Sequence, residues 1–347
     1  VKAYLNEEKK ENASLALLGE LDALRIPEHA YVNPETDAAH CCGHHAQMAG
    51  IFGAALALTV PEIAEKLGGQ VVFFATPAEE YGEIEFKNQL REQGKIRYGG
   101  GKCELIRTGA FDDIDLCLAH HIQPGDEIQV GSGTGNGFVS KVIRYLGKAA
   151  HAAGAPDKGV NALSAASLGL QALGLNRETF RDEDCVRVHP IITKGGNLVN
   201  VIPDEIVIET LVRAKTIEAF TDAAKKTDRS FQAGAVAMGA KVEIITLPGY
   251  LPTLAEQALP ELKRAAELAA PEVPVREAAG HSGGSTDVGD VQHLMPVYTF
   301  NTGGVKGGLH QINFEVTNEE EAYIDTAKMF ALAAYGLLKE KAARSKE

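Results

Sequence analysis

The chain has 347 residues, 45% of them hydrophobic, which is too much for one ordinary core and enough for two domains that each bury an interior. Its 47 acidic residues outnumber 34 basic ones for a formal net charge of -13, with no long basic cluster, so a nucleic-acid or anionic-membrane surface is disfavoured and small molecules are the expected partners. The most apolar stretch, around Met48 to Val60, falls well short of the ~20 residues a membrane-spanning helix needs, and no signal-peptide pattern is visible.

The N-terminal third alternates apolar strands with helical patterns: SLALLGELDAL (14–24), a helix over about 47–66, QVVFFATPAEE (70–80) and DIDLCLAHH (113–121). Strands that are apolar throughout and separated by helices predict an α/β fold with a mainly parallel sheet covered on both faces. Functional groups in such sheets gather at the carboxyl ends of strands, and GELD, PAEE and AHH each follow such a strand. The Gly- and Ser-rich GDEIQVGSGTGNG (125–137) reads as a connection.

Beyond it come a strand (138–146), a helix (about 160–175), two strand candidates (186–193 and 206–213), a helix (about 217–238) and a strand (241–247). That β-α-β-β-α-β order is the ferredoxin-like split pattern and predicts a self-contained insert over 137–247. After GYLPT (249–253) the first style resumes with a helix near 254–268, the glycine-rich AAGHSGGSTD (278–287), a strand at 295–300 and an amphipathic helix from Asn318 to about Ala342. Residues 1–136 and 248–347 are therefore expected to form one discontinuous domain. The polar stretch 81–102 reads equally as a solvated helix and loop or as a rim over a pocket.

Four clusters carry candidate chemistry. In AHCCGHHAQMAG (39–50), thiol and imidazole donors on a turn entering a helix suit a divalent cation, although a buried thiol and a solvated histidine explain any single one of them. Glu79 and Glu80 of PAEEYG follow a strand; adjacent side chains there diverge, so that one is able to ligate a cation while the other works as a base. AHHIQPG (119–125) and GGLHQINFE (307–315) supply further histidines. Together this inventory suffices for two divalent ions sharing ligands. The five cysteines are an odd number without framework spacing, which fits reduced thiols in a cytoplasmic compartment.

GELDAL, HCCGHHAQMAG, ATPAEE, AHHIQP, GKAAHAA, GGNLVNVIPD, GSTDVGDV and GGLHQINFE occur in the order found in the M20 metallohydrolases, and the chain resembles the amidohydrolase branch of that family, which includes hydrolases of N-acyl amino acids, hippurate and p-aminobenzoyl-glutamate. The resemblance implies metal ligands at Cys42, His44, Glu80, His121 and His310, a general base at Glu79, and Asp22 as an outer partner that orients a ligand. It implies that the insert is a lid and dimerisation domain, so a homodimer is expected. His151 would stabilise the oxyanion, often from the other subunit, while Asn200 and Arg213 would bind substrate.

The implied cofactors are two Mn2+ or Zn2+ ions per chain, and the implied reaction is hydrolysis of an N-acyl or N-aroyl amino acid to a carboxylate and a free amino acid. His45 and Gln47 depart from the family's usual residues, and members usually carry roughly 70 residues ahead of the equivalent of GELDAL, so a preceding segment is expected. A dipeptidase or exopeptidase using the same metals is one rival reading, and an inactive binding or scaffold protein with the same fold is another.

Overall fold

The structure, a computed structural model, describes residues 1–339. Its principal elements begin with β1 (Lys2–Leu5), β2 (Ser14–Glu20), α1 (His44–Leu58), β3 (Gln70–Thr76), α2 (Ile84–Glu92), α3 (Gly101–Arg107), β4 (Leu116–Ile122) and β5 (Ile128–Val130). There follow β6 (Gly137–Leu146), α4 (Ala162–Asn176), β7 (Arg187–Val188), β8 (Ile191–Lys194), β9 (Glu205–Ala214), α5 (Ile217–Met238) and β10 (Lys241–Pro248). The chain then forms α6 (Pro260–Ala269), β11 (Val275–Glu277), α7 (Val288–Gln292), β12 (Val297–Thr302) and α8 (Thr326–Leu338).

Seven strands make the larger sheet in the order β1-β3-β2-β4-β12-β5-β11. Its centre, β3, β2, β4 and β12, is parallel, as strands without polar alternation require. β2 shows why: Leu15 and Leu17 enter the core shared with α1, α6 and α8, whereas Ala16 and Leu18 enter the opposite core with Phe74, Phe111 and Val291. Burial on both faces removes any advantage from a polar residue within the strand.

The second sheet is antiparallel, ordered β7-β9-β6-β10, with β8 also paired to β9. Its elements run in the expected β-α-β-β-α-β order, with α4 and α5 against one face through Ile143, Tyr145, Ile206 and Phe231. The other face packs Phe138, Val142, Val207 and Leu247 on Tyr81, Ile84, Cys103 and Tyr250.

Several boundaries differ from the sequence expectation. The 125–137 connection contributes a strand, because Ile128 and Val130 alternate inward and are buried while Gln129 between them is half-buried. The helix expected over 47–66 breaks after Leu58 and resumes for one turn at Pro61, whose ring closes off continuation from the preceding helix. Similarly, α6 starts only at Pro260, a favoured first helical residue. The strand expected at 186–193 splits into β7 and β8 around Pro190. The last helix opens with a π-helical turn over Glu320–Asp325, and its expected end at 340–342 lies outside the described residues. The 81–102 stretch is neither wholly solvated nor wholly a rim, since Phe86 of α2 is exposed while Tyr81 and Ile84 are wedged beneath the second sheet.

Candidate metal centre

The carboxyl ends of β2, β3 and β4 open into one cleft, joined by the turn before α1 and the loop after β12. At its floor Cys42 Sγ lies 3.4 Å from His121 Nε2 and 3.2 Å from His310 Nε2. His310 Nε2 is 3.4 Å from a Glu80 oxygen, and His44 Nε2 is 4.0 Å from oxygens of both Glu79 and Glu80. Cys42, His44 and His121 converge as one donor group, Cys42, Glu80 and His310 as a second, and Glu20, His44 and Glu79 as a third, with the thiol common to the first two and His44 to the first and third.

The backbone explains why these side chains meet. Gly43 stands at φ 94° immediately before α1, and a Cβ on it would lie 2.1 Å from Ile122 Cγ2, so the turn carrying Cys42 and His44 docks onto β4 only with glycine there. His310 adopts a left-handed φ of 63° and its N–H donates to Cys41 O at 2.9 Å, which carries the distant loop to the same point.

Partners behind the donors set their orientation. His121 Nδ1 lies 2.7 Å from Ile122 O and His44 Nδ1 lies 3.0 Å from Asp22 O, leaving His121 Nε2 toward Cys42 and His44 Nε2 toward the carboxylates of Glu20, Glu79 and Glu80. The Asp22 carboxylate accepts from the Glu80 N–H at 2.9 Å, so one residue, through its backbone carbonyl and its side chain, steadies two of the expected ligands. Tyr250 donates to Glu79 O at 2.6 Å, and Tyr81 donates to Pro248 O at 2.6 Å, tying the glutamate pair to the end of the second sheet.

The electrostatics match a cation's place. Burial alone would lower the His44 pKa, but the Asp22 hydrogen bond and then the charges of Glu20 and Glu79 outweigh it and raise it to about 9. Burial, followed by Glu80 and Glu79, pushes the Cys42 thiol up, and burial with Glu20 and Asp287 raises the Glu79 carboxyl well above its ordinary value. His44 Nε2, Asp22 Oδ1 and Glu80 Oε1 are buried without a hydrogen-bond partner among the described residues. Thiolate, imidazole and carboxylate donors left in this way fit a zinc-like or manganese-like ion, whose binding would displace the protons of Cys42 and His44.

The neighbours left out of the ligand set turn elsewhere. His120 is buried against Phe300 with Nε2 2.7 Å from Thr302 Oγ1, Cys41 is enclosed in an apolar cluster, and His45 packs on Phe314 and Tyr323. Arg213 reaches the cleft from the second sheet, and its buried Nε has no partner among the described residues. His151 and Asn200 do not line it. They lie together at an exposed edge, where Ala152 N–H donates to Asn200 O at 2.9 Å and Gly154 N–H donates to His151 Nδ1 at 3.0 Å.

Three residues near the floor escape sequence reasoning: Glu20, Lys102 and Asp287. Glu20 Oε2 lies 3.1 Å from His44 Nε2, while Glu20 Oε1 and Asp287 Oδ1 each accept from Lys102 Nζ at 2.6 Å. Glu20 stands two positions before Asp22, a weak signal, and a lone lysine after three glycines carries none. The cleft itself holds about 830 Å³, in the range of small-molecule sites, with Leu24, Phe138, Leu211 and Leu309 as apolar walls and the 278–286 loop closing one side.

Residues 16–335 match the model of peptidase family M20/M25/M40. The mouse Xaa-Arg dipeptidase is 28% identical over 313 residues, 87% of this chain, and the chain spans 64% of that protein's length. The Bacillus subtilis N-acetyl-L-cysteine deacetylase is 31% identical over 216 residues, 59% of this chain and 46% of that one. A solved Bacillus subtilis dinuclear metal-binding peptidase shares the fold with a TM-score of 0.61 at 23% identity, over 94% of this chain and 82% of its own. No helix among the described residues is long and apolar enough to cross a membrane.

Proposed function

We propose that this chain, which belongs to peptidase family M20/M25/M40, hydrolyses the amide bond of N-acyl or N-aroyl amino acids to a carboxylate and a free amino acid. The observation that carries the reading is the placing of Glu79 and Glu80. Glu80 converges with Cys42 and His310, whereas Glu79, buried and raised in pKa, meets Glu20 and His44 instead and joins neither group that contains the thiol. One carboxylate is free to move a proton while its neighbour holds charge.

Cys42, His44, Glu80, His121 and His310 would hold two divalent cations, Mn2+ or Zn2+, which when bound acidify water and stabilise developing negative charge. Glu79 takes the proton from the attacking water and returns it to the leaving amine. Arg213 receives the substrate carboxylate, for which its planar guanidinium is suited. His151 and Asn200 serve the cleft of a second copy in a homodimer formed through residues 137–247, the inserted unit; residues 1–136 and 248–347 carry the catalytic groups. The free cysteines are consistent with a reducing cytoplasm as its compartment.

A dipeptidase reading has one observation in its favour, the alignment with the mouse Xaa-Arg dipeptidase over 87% of this chain. The test is a panel of N-acetyl, N-benzoyl and p-aminobenzoyl amino acids against free dipeptides, assayed with Mn2+ and with Zn2+. Preference for the acylated series supports the proposal; turnover confined to free dipeptides overturns it.

A further inference from the structure

Three residues have no role in the proposed chemistry although each ends or lies in a stretch noted in the sequence: Glu20 in GELD, Lys102 at the end of the 81–102 segment, and Asp287 at the end of the glycine-rich AAGHSGGSTD. The fold brings all three to one buried point. The Lys102 side chain is 1% exposed, Glu20 7% and Asp287 0%, so water offers none of them adequate solvation. Nζ donates to Glu20 Oε1 and to Asp287 Oδ1, each at 2.6 Å, and the Lys102 backbone N–H donates to Asp287 Oδ2 at 2.8 Å. Asp287 is thus gripped at both oxygens by one residue.

The far side of Glu20 is held with equal care. Its Oε2 accepts from Gln47 Nε2 at 2.8 Å, and its backbone N–H donates to Gln47 Oε1 at 2.8 Å, leaving that carboxylate oxygen 3.1 Å from His44 Nε2. Gly101 lets the lysine arrive there, since a Cβ on it would meet Pro77 O at 1.5 Å. Asp287 in turn ends the loop whose residues Gly280 to Ser282 and Gly284 to Thr286 line the cleft.

We propose that Lys102 is a positioning residue, whose buried ammonium clamps the glycine-rich cleft wall, through Asp287, to the carboxylate of Glu20 facing His44. The clamp joins the wall of the substrate pocket to the floor that carries the cation donors. The 278–287 loop is held in its middle by the pairing of His281 and Ser282 with Thr134 and Gly135 and by the Asn136 N–H, which donates to Gly284 O at 2.9 Å, while the double-ended ionic contact at Asp287 fixes its other end. Losing the ammonium strands two carboxylates away from water, and they separate or take up protons.

Lys102→Met tests this in the 347-residue chain, with hydrogen exchange mass spectrometry and zinc retention after dialysis as readouts. Exchange across 279–286 is expected to accelerate at least tenfold over the wild type while 70–76 and 217–238 keep their protection, and zinc affinity is expected to fall about tenfold. Lys102→Arg, which keeps the charge, recovers most of both effects. Unchanged exchange and zinc retention overturn the proposal; so does acceleration spread evenly through the chain, or an arginine variant no better than methionine. Should Lys102→Met fail to fold, Asp287→Asn decides by the same loop exchange, faster in support and unchanged against. The clamp rests on the proposed function only for the meaning of the cation site, and the exchange arm needs no substrate, so a failure of hydrolysis is distinguishable from a failure of the clamp.

Discussion

Cys42 Sγ sits 3.2 Å from His310 Nε2 although 268 positions separate the two residues in the chain. The thiol belongs to the group with His44 and His121 and to the group with Glu80 and His310, so its loss affects both. Cys42→Ala is expected to lower zinc or manganese content from about two ions per chain to one or fewer, measured by elemental analysis after dialysis. Cys41→Ala, altering a core thiol next door, is expected to leave metal content unchanged.

Glu79 is buried beside His44 and its pKa is raised, chiefly by burial. Glu79→Gln preserves shape and removes the proposed base. Turnover is expected to fall by about 10²- to 10⁴-fold or more, with metal content as in the wild type. Retained turnover would remove Glu79 from the mechanism.

The His44 pKa rises from 6.5 to about 9 in the folded metal-free chain. The sign follows from linkage: this stabilisation is fully present below pH 6.5 and is lost as pH climbs through about 9. Glu79, also raised, acts in the same direction. Thermal denaturation of chelator-treated protein is therefore expected to show the melting temperature dropping between pH 6.5 and 9, and a bound cation, by displacing the His44 proton, is expected to flatten that drop. Isothermal titration in buffers of different ionisation enthalpy is expected to show proton release on binding at about pH 7.

Gly43 occupies a positive φ with Ile122 directly against it. Gly43→Ala combines a strained backbone with a clash, and a destabilisation of about 2 kcal/mol or more is expected from chemical denaturation. Metal content is expected to fall with it, because Cys42 and His44 flank the shifted residue.

Much of the fold is readable without coordinates because its strands are unambiguous. SLALLGE and QVVFFAT are apolar without interruption, which forces burial on both faces, and α5 occupies the expected 217–238 span with an amphipathic pattern to place it. β5 is missed because three residues inside a Gly- and Ser-rich stretch carry too little pattern. The breaks at Pro61, Pro190 and Pro260 are local stops that a coarse periodicity smooths over.

The candidate ligands are legible for a different reason. Cys42, His44, Glu79, Glu80, His121 and His310 all stand at strand ends or turns, and parallel topology collects such ends on one edge. Choosing Cys42 over Cys41 and His121 over His120 by sequence rests on resemblance; in the structure alternation along β4 sends His120 into the core, and Cys41 is enclosed in an apolar cluster beside the turn that presents Cys42. Lys102 gives no such sign, since an exposed lysine and an enclosed one are written alike.

By itself the sequence determines two sheets of opposite character and a set of donors at strand ends, because uninterrupted apolar runs and short polar termini admit few arrangements. Only the tertiary structure decides that Lys102, Glu20 and Asp287 meet, and that His151 and Asn200 lie away from the cleft of their own chain. Such relationships depend on the docking of elements far apart in the chain, and no local preference of backbone or side chain encodes the distance between them.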